Sequence, residues 1–106
     1  MKPWRVVLTE SAQADIRGIH DYIAFELLSP ENASALTNRI LDAVERLATF
    51  PKRHPLCLMD GLQGMDLRMV PVERYRVFYK IMEDSDMVLI VRILYERRDV
   101  ANAFSQ

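Results

Sequence analysis

Leu67-Arg68-Met69-Val70-Pro71-Val72-Glu73-Arg74-Tyr75-Arg76-Val77-Phe78-Tyr79-Lys80-Ile81-Met82-Glu83-Asp84-Ser85-Asp86-Met87-Val88-Leu89-Ile90-Val91-Arg92-Ile93-Leu94-Tyr95 decides the fold. It breaks into runs 67–72, 75–82 and 87–95, rich in β-branched and aromatic residues, with short polar turns between them. Turns this short join antiparallel neighbours, so the stretch predicts a three-stranded meander. Side chains alternate across a strand. Tyr75, Val77, Tyr79 and Ile81 share one face of the middle run, and Arg76, Phe78 and Lys80 share the other. In the last run Met87, Leu89, Val91 and Ile93 alternate with Val88, Ile90, Arg92 and Leu94. The all-apolar sets are expected under a covering layer. Arg76, Lys80 and Arg92 are expected together on an open face, with Arg68 joining them if the register allows.

The covering layer lies upstream. Trp4-Arg5-Val6-Val7-Leu8 suits a short strand, and Thr9 followed by Glu10 suits a helix start. Ala12, Ile16, Ile19, Ile23 and Leu27 recur at helical spacing and form an apolar stripe. Ser29-Pro30-Glu31 is a second start signal, with serine as cap and proline at the first helical position. Ala33, Leu36, Ile40, Val44 and Leu47 form the second stripe, which stops at Phe50-Pro51. So short a connection forces an antiparallel helical hairpin. Residues 52–66, with Pro55 ahead of Gly61 and Gly64, read as a long surface loop. The whole is an α+β pattern: strand, two-helix hairpin, then three-stranded meander, with helices on one face of the sheet.

A chain of 106 residues, half of them hydrophobic and 27% charged, is expected to be a single domain, 1–106, with a core of its own. The net charge of −1 does not point to nucleic acid, although nine of the 14 basic residues lie from Lys52 onward. The lone Cys57 cannot form an internal disulfide, and no apolar run approaches a membrane span. With no signal peptide at the start, a cytoplasmic protein without membrane contact is expected. His20, His54 and Cys57 lack metal-ligand spacing, and Ser11, Asp15 and His20 read as helix-face residues rather than a hydrolase set. No metal, cofactor or small-molecule ligand is expected. Lys52-Arg53-His54 reads first as a solvated loop, and the six methionines as gap fillers or an adaptable partner groove.

Leu67-Arg68, Pro71-Val72 and Arg74 to Ile81 resemble the signature strand pair of the RelE/ParE toxins of type II toxin–antitoxin systems, a superfamily that includes plasmid stabilisation proteins. Ile93-Leu94-Tyr95-Glu96-Arg97-Arg98-Asp99-Val100 resembles the strand end that closes their core. Thr9-Glu10-Ser11-Ala12, Asp15-Ile16, Asp21-Tyr22-Ile23, Leu47 and Phe50-Pro51 look like their helical hairpin.

The resemblance implies a toxin that causes growth arrest and is neutralised by a cognate antitoxin. In the RelE branch the toxins are ribosome-dependent messenger-RNA endonucleases, and Arg76 and Arg98 match two arginines of that nuclease set. Two lysines of the set fall at Gly64 and Asp66, and its tyrosine falls at Phe104. Phe104 has no hydroxyl to transfer a proton, and Asp66 repels phosphate. The departures favour the ParE branch, which inhibits DNA gyrase by binding it. The alternatives are a degenerate RelE-like nuclease acting on ribosome and messenger, or a non-toxic relative that only binds antitoxin. Arg68, Arg76, Phe78, Lys80, Arg92 and Arg98 are the expected antitoxin- or target-binding residues, with Arg76 and Arg98 catalytic only if the chain is a nuclease.

Overall fold

The structure, a computed structural model, describes residues 3–104. Arg5–Leu8 forms β1, Glu10–Asp21 α1, Pro30–Arg46 α2, Arg68–Val72 β2, Tyr75–Met82 β3, Met87–Tyr95 β4 and Val100–Phe104 a short α3. The sheet order is β1-β4-β3-β2, with β1 parallel to β4 and the meander antiparallel as expected.

The helix signals hold in part. Thr9 caps α1, its Oγ1 accepting from the Ala12 amide at 3.1 Å while donating to the Val91 carbonyl at 2.9 Å. One hydroxyl therefore both starts the helix and ties it to β4. Ser29 stands at the N-cap of α2 but makes no side-chain cap bond; Pro30 behind it has no amide to satisfy. The second stripe is buried throughout, whereas the first loses its last member. Tyr22–Glu26 winds as one turn of π-helix, and the wider turn swings Leu27 out of the stripe to 56% exposure.

Two expectations about the sheet are corrected. Met87, Leu89 and Val91 do not lie under the helices. Phe78 pairs with Arg92 but Tyr79 pairs with Ile90, so Val91 is the extra residue of a β-bulge, and the alternation of β4 flips there. Val88 and Ile90 face the helices on one side of the bulge and Ile93 on the other, packed with Val77, Tyr79, Ile40 and Val44. Nor is the opposite face open. Phe78 and Leu94, expected exposed, are 0% and 2% exposed in a second core with Leu62, Leu67, Val100 and Ala103. The loop of residues 52–66 is therefore a cover rather than a mere surface loop: Leu62 plugs the face, with Cys57, Met59 and Met65 around it.

The outer edge of β2 is blunted. Leu56 bridges to Arg68, the Cys57 amide donates to the Leu67 carbonyl at 2.6 Å, and Pro71 has no amide to offer a further strand. Behind it Tyr79, fully buried, donates its hydroxyl to the Pro51 carbonyl at 2.6 Å and fixes the end of the hairpin against the sheet. Burial raises the Tyr79 phenol above its ordinary value of 10.0, against the opposing pull of Arg68 and Arg53. Because the folded value is the higher, this stabilisation is complete below pH 10.0 and disappears as pH rises through the folded value. Tyr79→Phe should cost about 1–3 kcal/mol at neutral pH, because it leaves the Pro51 carbonyl without its donor. It should also flatten the alkaline fall in stability. Urea titrations at pH 7 to 11 check this; a variant with the parent's alkaline slope would contradict it.

Candidate functional site

β1 follows β4 only as far as Ile90, where the chain turns into α1. The rest of the β4 edge therefore lies beside a helix instead of a strand. Asp15 on α1 takes the place of the missing neighbour. Its Oδ2 accepts from the Ile93 amide at 2.9 Å and from Arg92 Nε at 2.8 Å, and its Oδ1 accepts from Arg92 Nη2 at 2.9 Å. Arg92 Nη1 also reaches the Ala103 carbonyl of α3 at 3.2 Å. The paired carboxylate, through hydrogen bonding, raises the Arg92 pKa further above its ordinary value.

Past this clamp a groove of about 750 Å³ opens between the hairpin and the end of the sheet. Gly18, Ile19, Ile23, Leu36 and Ile93 make its floor, and Tyr22, Leu27, Arg74, Tyr75, Tyr95 and Arg98 rise around it. Tyr75 and Tyr95 meet edge-to-face at 5.5 Å. Burial, then the neighbouring Tyr95 and Tyr22, raise the Tyr75 pKa, so its phenol stays neutral. The groove is thus apolar, with two guanidiniums at its mouth. Arg74 stands 3.5 Å from Glu96 in an exposed pair of small energetic weight.

The expected site residues do not form one row. Arg98 lies on the groove. Arg76 and Lys80 are half-buried on the face of the second core, where Arg76 Nη1 stands 3.9 Å from the Met59 sulfur. Arg68 pairs in register with Tyr79, which puts it on the helix-facing side, and its guanidinium donates to the His54 carbonyl. Arg92 shares the face of Arg76 but is held by Asp15, and Phe78 is sealed in the second core. Gly64 and Asp66 sit in the loop before β2, both at positive φ, and Phe104 packs edge-on against Phe78 at 5.4 Å. His54 lies on the other side of the sheet, against Tyr79, its pKa lowered by burial and by Arg53.

Sequence reading missed Asp15, Gly18, Tyr22, Leu27 and Arg74. Only Gly18 left a usable signal. A glycine inside a helix costs about 1 kcal/mol relative to alanine and needs a reason. Here a Cβ would meet nothing within 4 Å and would project over the groove floor. Among the described residues no group of His, Cys, Asp and Glu is placed to hold a metal ion, and no helix is long and apolar enough to cross a membrane.

Residues 6–100 match the family model described as the ParE toxin of the type II toxin–antitoxin system parDE. No curated protein matches. Among solved structures, the chromosomal ParDE system of P. aeruginosa superposes with a TM-score of 0.73 at 18% identity, over 90% of this chain and 98% of that one. A double variant of the E. coli toxin RelE in the free state gives 0.64 at 12% identity, over 95% and 92%. The RelBE2 toxin–antitoxin complex of Mycobacterium tuberculosis gives 0.62 at 23% identity, over 90% and 93%. At these identities the likeness is one of fold.

Proposed function

Because the chain belongs to the ParE toxin family of type II toxin–antitoxin systems, we propose that it is a toxin that inhibits DNA gyrase by binding and is silenced by an antitoxin segment seated in the groove. The groove itself carries this reading: an apolar floor with Arg74 and Arg98 at its mouth matches an amphipathic peptide with acidic flanks. Such segments fold as they bind and cover large areas. Arg76 and Lys80 can hold an anion, but cations of this kind are poor proton shuttles, and Phe104, where the nuclease set has its tyrosine, presents a ring without a hydroxyl. An inhibitor that binds needs no such group, only a surface whose affinity differs between gyrase states.

Gly18→Trp tests the groove. A Cβ at position 18 meets nothing within 4 Å, so the helix can carry a side chain there, and the indole is placed to occupy the groove; Gly18→Ala is the control, expected to fold at least as stably as the parent. Co-purified antitoxin should bind the tryptophan variant at least roughly 30-fold more weakly, the scale of a lost hot spot. Cells carrying both genes should then stop growing, with gyrase trapped on cleaved DNA. Unchanged antitoxin affinity would sink the groove assignment. Growth arrest with supercoiling intact and protein synthesis halted would sink the gyrase assignment.

A further inference from the structure

The tip of the helical hairpin is apolar, exposed and strained. Tyr22, Phe25, Leu27 and Leu28 are 55%, 70%, 56% and 83% exposed, while Ile23 and Ala24 between them anchor the turn in the core. Leu28 is left-handed at φ 54, a conformation that glycine or asparagine adopts at little cost and leucine does not. A connector selected only to join two helices would carry a small polar residue there. A bulky apolar side chain held in that conformation, facing water, next to a π turn, costs stability and gains nothing from packing.

The charged residues of the tip itself are acidic, whereas Arg74 and Arg98 belong to the groove that Tyr22 and Leu27 also line. From Asp21 to Asn38 the sequence holds Asp21, Glu26 and Glu31 and no lysine or arginine. All three acids are exposed. Acids at the tip itself disfavour a nucleic acid or an anionic membrane as its occupant, and a second copy would bring acid against acid. The complement is a protein surface with an apolar pocket rimmed by basic residues.

We propose that this tip is the surface through which the toxin seizes its target protein, at an apolar pocket with a Lys/Arg rim. This rests on the reading of the chain as a toxin. Tyr22 and Leu27 belong both to the tip and to the wall of the groove. A peptide seated in the groove therefore covers part of the target surface, and neutralisation is competitive.

The test uses Phe25→Ser with Leu28→Asn, two residues outside the groove, with asparagine keeping the left-handed turn. Purified DNA gyrase is the probe, alongside growth arrest in cells and affinity for the antitoxin. The variant should keep its circular dichroism and its antitoxin affinity within about threefold, yet need at least tenfold more protein to inhibit gyrase and arrest growth. Glu26→Lys with Glu31→Lys should weaken inhibition in the same sense. A tip variant as toxic as the parent overturns the placement and leaves the groove assignment standing. Loss of growth arrest beside an unaltered effect on gyrase supports the tip and overturns gyrase as the target. A parent chain that arrests nothing overturns the toxin reading and this inference with it. A parent dimer in sedimentation, or parent binding to phosphatidylserine vesicles, that the variant abolishes assigns the tip to self-association or to lipid and overturns the proposal.

Discussion

Asp15→Ala should cost about 3–5 kcal/mol, the penalty of leaving one member of a buried ion pair alone. The carboxylate and the Arg92 guanidinium are 12% and 18% exposed, so little water replaces the lost partner. The variant also strips the Ile93 amide of its acceptor on an edge that no strand covers. A domain of this kind has only about 5–15 kcal/mol in total, so the urea midpoint should fall by about a fifth or more. Asp15→Ala combined with Arg92→Met should recover part of the loss, because two apolar side chains need no pairing. Arg39→Ala, which breaks the exposed 3.0 Å pair with Glu73, should cost under about 1 kcal/mol. An Asp15→Ala protein as stable as Arg39→Ala would refute the clamp.

Ribosome-bound messenger should remain intact when the purified chain is added, under conditions in which a RelE nuclease cuts it. General acid–base assistance is worth roughly 10²–10⁴-fold, and the candidate position for it is occupied by the Phe104 ring. Phe104→Tyr should not create the activity either. Gly64 and Asp66 lie in a loop at positive φ rather than on the sheet face, and neither supplies a cation for the phosphate. Primer extension on translated messages is the measurement. Codon-positioned cleavage by the unaltered chain would make it an enzyme and remove the argument for gyrase.

The helical hairpin and the meander were legible because each rests on local chemistry: Thr9 and Pro30 at helix starts, two stripes at helical spacing, polar turns between β-rich runs. What stayed hidden has no local signature. The bulge at Val91 falls in Val-Leu-Ile-Val, where every side chain is apolar and either alternation reads equally well. Losing the alternation there put Met87, Leu89 and Val91 under the helices; the second face looked open because its cover, the loop of residues 52–66, has no periodicity. The partner that holds Arg92, Asp15, stands 77 positions away and reads as one more acid on a helix. Arg68 was open in register, and only its pairing with Tyr79 assigns it to the helix side. The π turn likewise leaves no mark on composition, so Leu27 looked like the end of a stripe instead of the wall of a groove.

The parallel pairing of β1 with β4 matches Arg5 to Met87 and Leu8 to Ile90, joining the first strand to the last. Contacts of such separation are slow to form, since nearly the whole chain must be looped before any of them is rewarded. The β3–β4 hairpin is local and can form early; β1 can only dock afterwards. On a translating ribosome this means that the sheet lacks its fourth strand until the codons for Met87–Tyr95 have been read, and the exit tunnel delays it further. The hairpin wall and the β4 wall of the groove meet only at that moment. Chains that end before β4 carry neither the groove nor the clamp that holds its walls together.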